Sequence, residues 1–360
     1  MKLLIIPSIP YPIRSGGDLE VYFKIKALEN ESNLVIICPL STIKNPEIFR
    51  SVLKETTQIV FYKPLGRRIK NIFSLMPYGI LSNCPADKAE LFNHPRLQQK
   101  FEVIIIDHIF SSWACLAFKG EYIFRSHNVE YRYVLETQSK IRKKLPMAMK
   151  YLLWELIVIS FADRILPISS KEIQFYSRYS NKVAWAPAFR SDKLCAVSLK
   201  KIDRKIFLFY ANYFGGFNVK ETMNMLMEIS AIDTSIKIVI AGRNSEIFSN
   251  FNIENKVRIW GTVEDEENLM EMGAIRILLA NGESGVKMKL IDSIVSGIPF
   301  LAQEKVWVGS GMSSSHFKFR DTKELIKKAS SLDLSKISTI QNEFKLIYNN
   351  GTEVFEPNKE

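Results

Sequence analysis

The sequence predicts an α/β protein made of two doubly wound domains, each a parallel sheet flanked by helices. Three observations carry this. Short continuous runs of Val, Ile, Leu and Phe alternate with segments of helical periodicity, and an apolar run without polar alternation is how a strand buried on both faces reads. The alternation restarts after residue 204, so the strand–helix series occurs twice. The chain has 360 residues, more than one hydrophobic core usually serves.

Each element follows in order. In the first half, strands are expected at Lys2–Ile6, Asn33–Cys38, Gln58–Tyr62, Val103–Asp107, Tyr122–Arg125, Arg164–Ile168 and Lys182–Trp185. Helices are expected at Asp18–Glu29, Val129–Ser139, Met147–Phe161 and Ser170–Ser177. In the second half, strands are expected at Ile206–Ala211, Ile236–Ala241, Val257–Trp260, Ile275–Leu279 and Pro299–Ala302. The matching helices are Val219–Ser230, Asp265–Met272, Met288–Ser296, Thr322–Ser331 and Ile337–Tyr348. Residues 1–186 are read as the first domain, 187–204 as a linker and 205–336 as the second domain. Residues 337–360 form a helix and tail expected to return to the first domain. In such a pair ligands bind at the carboxyl ends of the strands, so the two domains are expected to face a cleft that holds the site.

Composition narrows the function. With 47% hydrophobic and 24% charged residues, a disordered or low-complexity chain is excluded. Cys38, Cys84, Cys115 and Cys195 are scattered, with no CxxC and no metal-ligand spacing, which points to a reducing compartment. The opening run Met1–Ile6 is too short for a signal segment, and no apolar stretch reaches the roughly 20 residues of a membrane span. The expected location is cytoplasmic, peripheral at the inner face of the membrane. The net charge of +11 lies almost wholly in one half: residues 1–182 hold 26 Lys and Arg against 16 Asp and Glu. It clusters at Arg67-Arg68-Ile-Lys70 and Lys140-Ile-Arg142-Lys143-Lys144. The second cluster precedes Met147, Met149, Leu152, Leu153, Trp154 and Leu156, a combination suited to an anionic membrane surface. No nucleic-acid recognition motif accompanies the basic residues, and no nucleic acid is expected as a partner.

Three segments could carry chemistry. Gly16 and Gly17 follow the first strand and precede a helix, where a backbone can approach an anion. His127, in Arg125-Ser-His-Asn-Val-Glu130, follows a strand and could meet a hydroxyl or move a proton; His108 is a weaker case of the same kind. Ser284-Gly285-Val-Lys287-Met-Lys289 places two lysines at a helix start, where they oppose the helix dipole unless an anion binds. Asp292 lies a turn further, placed for ribose hydroxyls, and Gly297 and Pro299 end that helix.

On these residues the chain resembles the group 1 glycosyltransferases, which have two Rossmann-like domains in the GT-B architecture. His127-Asn-Val-Glu130, the stretch Trp154-Glu155 to Ser169, Tyr213 with Asn218, and Ser284 to Pro299 are similar to family segments in the same order. The resemblance implies hexosyl transfer from a nucleotide sugar to a glycan or lipid-linked acceptor, with retention and without metal or other cofactor, in polysaccharide or glycoconjugate biosynthesis. It places Ser284, Gly285, Lys287, Lys289, Asp292 and Asn218 at the donor, Gly16 and Gly17 at the diphosphate or acceptor, and His127 at the transferred sugar. The chain departs from the family at Ser284, where a first glutamate is usual, at Asp292, one methylene short, and at Asn212 and Phe217, where Arg and Lys are common. The alternatives are a weak or inactive partner subunit of the same fold, or a nucleotide-sugar epimerase.

Overall fold

The computed structural model describes residues 1–13, 15–40, 44–66, 74, 76–115, 117–137, 141–190, 194–195, 202–213, 217–250, 256–263, 273–280, 282–348 and 351–357. The basic cluster Arg67–Lys70, Lys140, the helix expected at Asp265–Met272 and much of the expected linker lie outside the described residues. The chain divides into two compact units. Unit 1 is Met1–Arg190 with Ser284–Val286 and Tyr348–Glu360; unit 2 is Ser191–Glu283 with Lys287–Ile347.

Unit 1 holds strands β1 (Lys2–Ile5), β2 (Leu34–Pro39), β3 (Gln58–Tyr62), β4 (Val103–Asp107), β5 (Glu121–Ser126) and β6 (Arg164–Pro167). They form one parallel sheet in the order β3-β2-β1-β4-β5-β6. The apolar runs explain the two-sided burial. Leu3, Ile5, Val35, Ile37, Ile104 and Ile106 enter the core on one face, while Leu4, Ile6, Leu34, Ile36, Val103 and Ile105 enter the core on the other. Alternate side chains of a strand point to opposite faces, so a strand covered on both sides must be apolar throughout. The tail returns to this unit: Phe355 is fully buried, stacks on Phe189 at 5.7 Å, and the Val354 carbonyl accepts from Arg164 at 2.9 Å.

Unit 2 repeats the plan with β7 (Ile206–Tyr210), β8 (Lys237–Ala241), β9 (Val257–Gly261), β10 (Ile275–Leu278), β11 (Phe300–Gln303) and the short β12 (Lys318–Phe319). Their parallel order is β12-β11-β10-β7-β8-β9. The helix Met288–Val295 ends on Gly297 at φ +63°, with the Ile298 N–H donating to the Ser293 carbonyl and the Gly297 N–H to that of Ile294. This is the left-handed glycine stop with a proline beyond it that the segment predicts.

Three expectations need correction. Lys182–Trp185 is not a strand: only Val183 bridges Ile165, and the bond that would extend the parallel ladder to the Ala184 carbonyl is missing because Pro167 has no N–H to donate. The long helix begins at Ile141 rather than Met147; Pro146 sits in its second turn on the exposed side, where water can satisfy the carbonyl the proline leaves unpaired. Gly16 and Gly17 are not loop residues. Ser15 caps the helix Gly16–Glu31 by accepting from the Asp18 N–H at 3.1 Å, so the glycines are its first two residues. Among the described residues, no helix is long and apolar enough to cross a membrane.

Candidate functional site

In both units the strand order reverses beside a central strand, between β1 and β4 in unit 1 and between β7 and β10 in unit 2. The carboxyl ends of those strands are where doubly wound sheets bind ligands. Both units place unusual charge there.

In unit 1, Asp107 ends β4, Arg125 lies on β5, His127 follows β5, and Glu20 and Lys24 stand one turn apart on the helix after β1. All five are buried. Lys24 donates to Glu20 at 2.9 Å and to Asp107; Arg125 binds Glu20 at 3.0 Å and the Pro187 carbonyl at 2.7 Å. His127 Nε2 lies 3.0 Å from Asp107 Oδ1 and 3.4 Å from Glu20 Oε2. Burial alone would raise both carboxyl pKa values. Lys24 and His127 outweigh it at Asp107, and Lys24, His127 and Arg125 at Glu20, so both stand below the ordinary carboxylate range. Two carboxylates are thus matched by a lysine and an arginine. Because Nε2 faces two acceptors, a ring proton belongs on it, and in the tautomer with a single proton the lone pair stands on Nδ1. In that tautomer His127 can accept a hydrogen bond from a hydroxyl through Nδ1.

Glu20, Asp107 and His127 offer ligand atoms within 4.8 Å of one another, close enough to share a cation. Lys24 already occupies that role, because its ammonium binds the same two oxygens that face His127. A metal would have to displace a buried lysine, so the donor set fits one poorly.

The backbone after His127 is held by two further carboxylates. The Val129 N–H donates to Glu172 at 3.0 Å and the Glu130 N–H to Glu155 at 2.7 Å. Burial pushes the Glu155 carboxyl well above its ordinary pKa, and Glu130 and Glu172 add to this against the N–H bond. His108, at φ +66°, packs its ring 5.2 Å from that of His127 and lies 3.3 Å from Glu130.

In unit 2, Lys287 is the N-cap of the helix Met288–Val295 and Lys289 its second residue. Lys289 is half-buried as a whole, with its ammonium turned inward onto the Leu279 carbonyl just beyond β10. Burial, then the neighbouring Lys287 and Arg276, hold its pKa down to about 7. Asp292 pairs with Arg276 of β10 at 3.1 Å, and the Arg276 guanidinium lies 4.8 Å above the Tyr210 ring. Asn218, on the helix after β7, donates to the Asn212 carbonyl at 2.6 Å. Tyr213 is a core residue, packed on Phe248 at 4.8 Å.

The structure thus gathers Lys287, Lys289 and Asp292 around Arg276, and gathers His127 with four ionised groups in unit 1. Ser284 and Gly285 group with unit 1, where the Gly285 N–H donates to Glu172 at 3.0 Å. Gly285 has φ +66°, and a Cβ there would collide with Asn128, so only glycine fits. Sequence reasoning missed Glu20, Lys24, Asp107 and Arg276 as site residues. The signal was present: Asp107 and Arg276 are charges within apolar strand runs, and Glu20 and Lys24 are an i,i+4 pair on a helix's inner face.

No family profile matches the sequence, and no curated relative matches it. Solved structures do. Sucrose-phosphate synthase from Thermosynechococcus elongatus is similar with a TM-score of 0.63 at 12% identity, covering 99% of this chain and 94% of that one. Anabaena HepE, solved in complex with UDP and glucose, is similar with a TM-score of 0.64 at 12% identity, covering 97% and 95%. WaaG, a glycosyltransferase involved in lipopolysaccharide biosynthesis, is similar with a TM-score of 0.61 at 10% identity, covering 99% and 100%. The chain therefore has the α/β fold of the GT-B glycosyltransferases, with two parallel six-stranded sheets.

Proposed function

We propose that the protein is a glycosyltransferase that moves a hexosyl group from a nucleotide sugar to a glycan or lipid-linked acceptor, in cell-surface polysaccharide or glycoconjugate synthesis. The observation that carries this reading is the cationic group beyond β10. Lys289, Lys287 and Arg276 stand with Asp292 at the strand-order reversal of unit 2, and the Lys289 ammonium is enclosed there at a cost in burial. A nucleoside diphosphate would supply the negative charge that offsets this cost, and its departure from the sugar would be assisted by the same cations. Asp292 would hold ribose hydroxyls. Asn218 would support the nucleotide from the neighbouring crossover, and Gly16 and Gly17 offer helix-terminal N–H groups on the acceptor side. His127, with its proton held on Nε2, would accept a hydrogen bond from the transferred sugar or the acceptor. Retention and independence from metal belong to the proposal; the cations beyond β10 are its support, since they can offset diphosphate charge directly. The four unpaired cysteines support a reducing, cytoplasmic setting.

A second reading, a nucleotide-sugar epimerase, draws on the carboxylates and histidine of unit 1. The experiment is calorimetric titration with UDP, GDP and ADP, followed by Lys289→Ala with the nucleotide that binds. Loss of about 1.5–3 kcal/mol of affinity is expected for a charge-assisted contact. Equal affinity of parent and variant would remove the site from unit 2. Incubation with the matching nucleotide sugar then separates the readings, because an epimerase alters the sugar without an acceptor.

A further inference from the structure

Arg276 is a charge in the middle of an apolar strand. Its neighbours along β10 are Ile275, Ile277 and Leu278, and across the sheet it stands between Phe300 of β11 and Leu208 of β7. Residues paired in register point to the same face, so the guanidinium leaves the sheet among side chains of core type. The residue is only 3% exposed. Taking a guanidinium out of water is costly, and apolar residues in place of a buried ion pair are often neutral or stabilising. The stability of unit 2 therefore does not account for an arginine here. Its Nε–H, moreover, finds no hydrogen-bond partner among the described residues, and a core selected for packing alone has no use for such a donor.

What the arginine holds is Asp292. Nη1 donates to Oδ2 at 3.1 Å, and the guanidinium is kept in place over the Tyr210 ring at 4.8 Å. Asp292 lies a turn into the helix Met288–Val295, with its side chain 16% exposed, so the carboxylate runs from a buried anchor to the surface. A lysine would bind that carboxylate as a mobile point charge. A planar guanidinium, anchored on a strand and packed against a ring, fixes its direction.

We propose that Arg276 is the positioning residue for ribose recognition. It aims the Asp292 carboxylate at the hydroxyls of a ribonucleotide, and the site thereby selects ribose over 2′-deoxyribose. A site built to hydrogen-bond a hydroxyl rejects the analogue that lacks it, because its own polar group is then left unpaired. The inference rests on the reading of unit 2 as a nucleoside diphosphate site, and adds the residue that sets its specificity.

The test is calorimetric titration of the full chain with UDP, GDP and ADP and with the 2′-deoxy form of each. The parent should bind the ribonucleotide of its preferred base about 10–100-fold more tightly than the deoxy form, the range for one hydrogen bond to a charged group. Arg276→Met should stay folded, since the carboxylate it leaves behind is partly exposed, and should cut that ratio to about threefold or less. Arg276→Lys keeps the charge without the planar fork and should cut the ratio by about threefold or more; it carries the test if the methionine variant does not fold. Asp292→Ala should remove most of the preference. Adding Arg276→Met to it should change the ratio no further, because two groups acting through one contact do not add. A looser unit 2 would weaken both nucleotides alike, so the ratio reads positioning rather than stability. An unchanged ratio in either folded Arg276 variant, beside its loss in Asp292→Ala, would overturn the inference and leave the nucleotide site standing. A further fall in the double variant would overturn it too, because Arg276 would then act by another route. A parent that binds nucleotide without preferring ribose would overturn both the inference and the ribose role of Asp292. A parent that binds none of the nucleotides would overturn the nucleotide site itself, and the inference with it.

Discussion

Replacing Lys289 by methionine should make unit 2 more stable and weaken its hold on a nucleoside diphosphate by about 1.5–3 kcal/mol. The magnitude follows from the lysine's surroundings. Its pKa falls from 10.5 to about 7, chiefly through burial, with Lys287 and Arg276 adding repulsion. At 1.36 kcal/mol for each unit, holding the charge costs up to about 5 kcal/mol. The hydrogen bond from the charged ammonium to the Leu279 carbonyl returns about 1.5–3 kcal/mol, so a net gain of about 2–3.5 kcal/mol is expected for Lys289→Met at pH 6. The sign with pH is definite. Below pH 7 folded and unfolded chains both hold the proton, and the full cost is present. Between about pH 7 and 10.5 the unfolded chain holds a proton that the folded chain has released, so this group makes stability rise with pH. The advantage of Lys289→Met should therefore be largest at pH 6 and fade toward pH 10. Thermal melts from pH 6 to 10, paired with calorimetric titration of UDP, read both effects. A variant that melts with the parent at every pH, or that binds UDP as tightly, would refute the argument.

In unit 1, His127→Ala should lower turnover about 10²–10⁴-fold while leaving affinity for the bare nucleotide unchanged, a split read by steady-state kinetics beside calorimetry. Unaltered turnover in a stably folded variant would remove His127 from the site. Asp107→Asn should cost about 3–5 kcal/mol at pH 7, because it leaves the buried Lys24 with one carboxylate fewer. The Asp107 pKa lies below its ordinary value, so its contribution is present above about pH 4 and is lost as pH falls further; acid melts of the variant should show a flatter decline. Glu155→Gln should act in the opposite direction. The raised pKa means the folded chain keeps a proton that the unfolded chain releases above about pH 4.5, so stability falls as pH rises through that window. Glutamine keeps an acceptor for the Glu130 N–H and removes that slope, which denaturant titrations from pH 5 to 9 would reveal.

Most of the fold was legible because its signals are local. The short, β-branched apolar runs of β1, β2 and β4 read as strands covered on both faces, and Gly297-Ile-Pro299 marks a helix end. Ser15 carried the start of the first helix, but the two glycines after it read more readily as loop, which displaced the boundary. Lys182–Trp185 read as a strand because β-rich composition does not show whether a neighbour can extend the ladder. For the site, Lys287, Lys289 and His127 stood out as polar residues at strand–helix junctions. Asp107, Glu20, Lys24 and Arg276 did not, because their meaning depends on pairings as distant as Glu20 with Arg125, 105 residues apart. Along the helix Ile141–Phe161 hydrophobicity was visible, but Met147, Leu152, Trp154 and Leu156, which the sequence suggests for a membrane, pack against the core instead, as only the packing around Tyr151 and Val158 reveals.

The most direct test of sugar transfer is to incubate the protein with UDP-, GDP- and ADP-linked radiolabelled sugars and an extract of lipid-linked and polymeric glycans. The account predicts that one donor releases its nucleoside diphosphate only when extract is present, and that the label moves into the extract with Lys289→Ala and His127→Ala both impaired. No transfer from any of the donors would contradict the account, as would a labelled sugar that is altered but remains outside the extract.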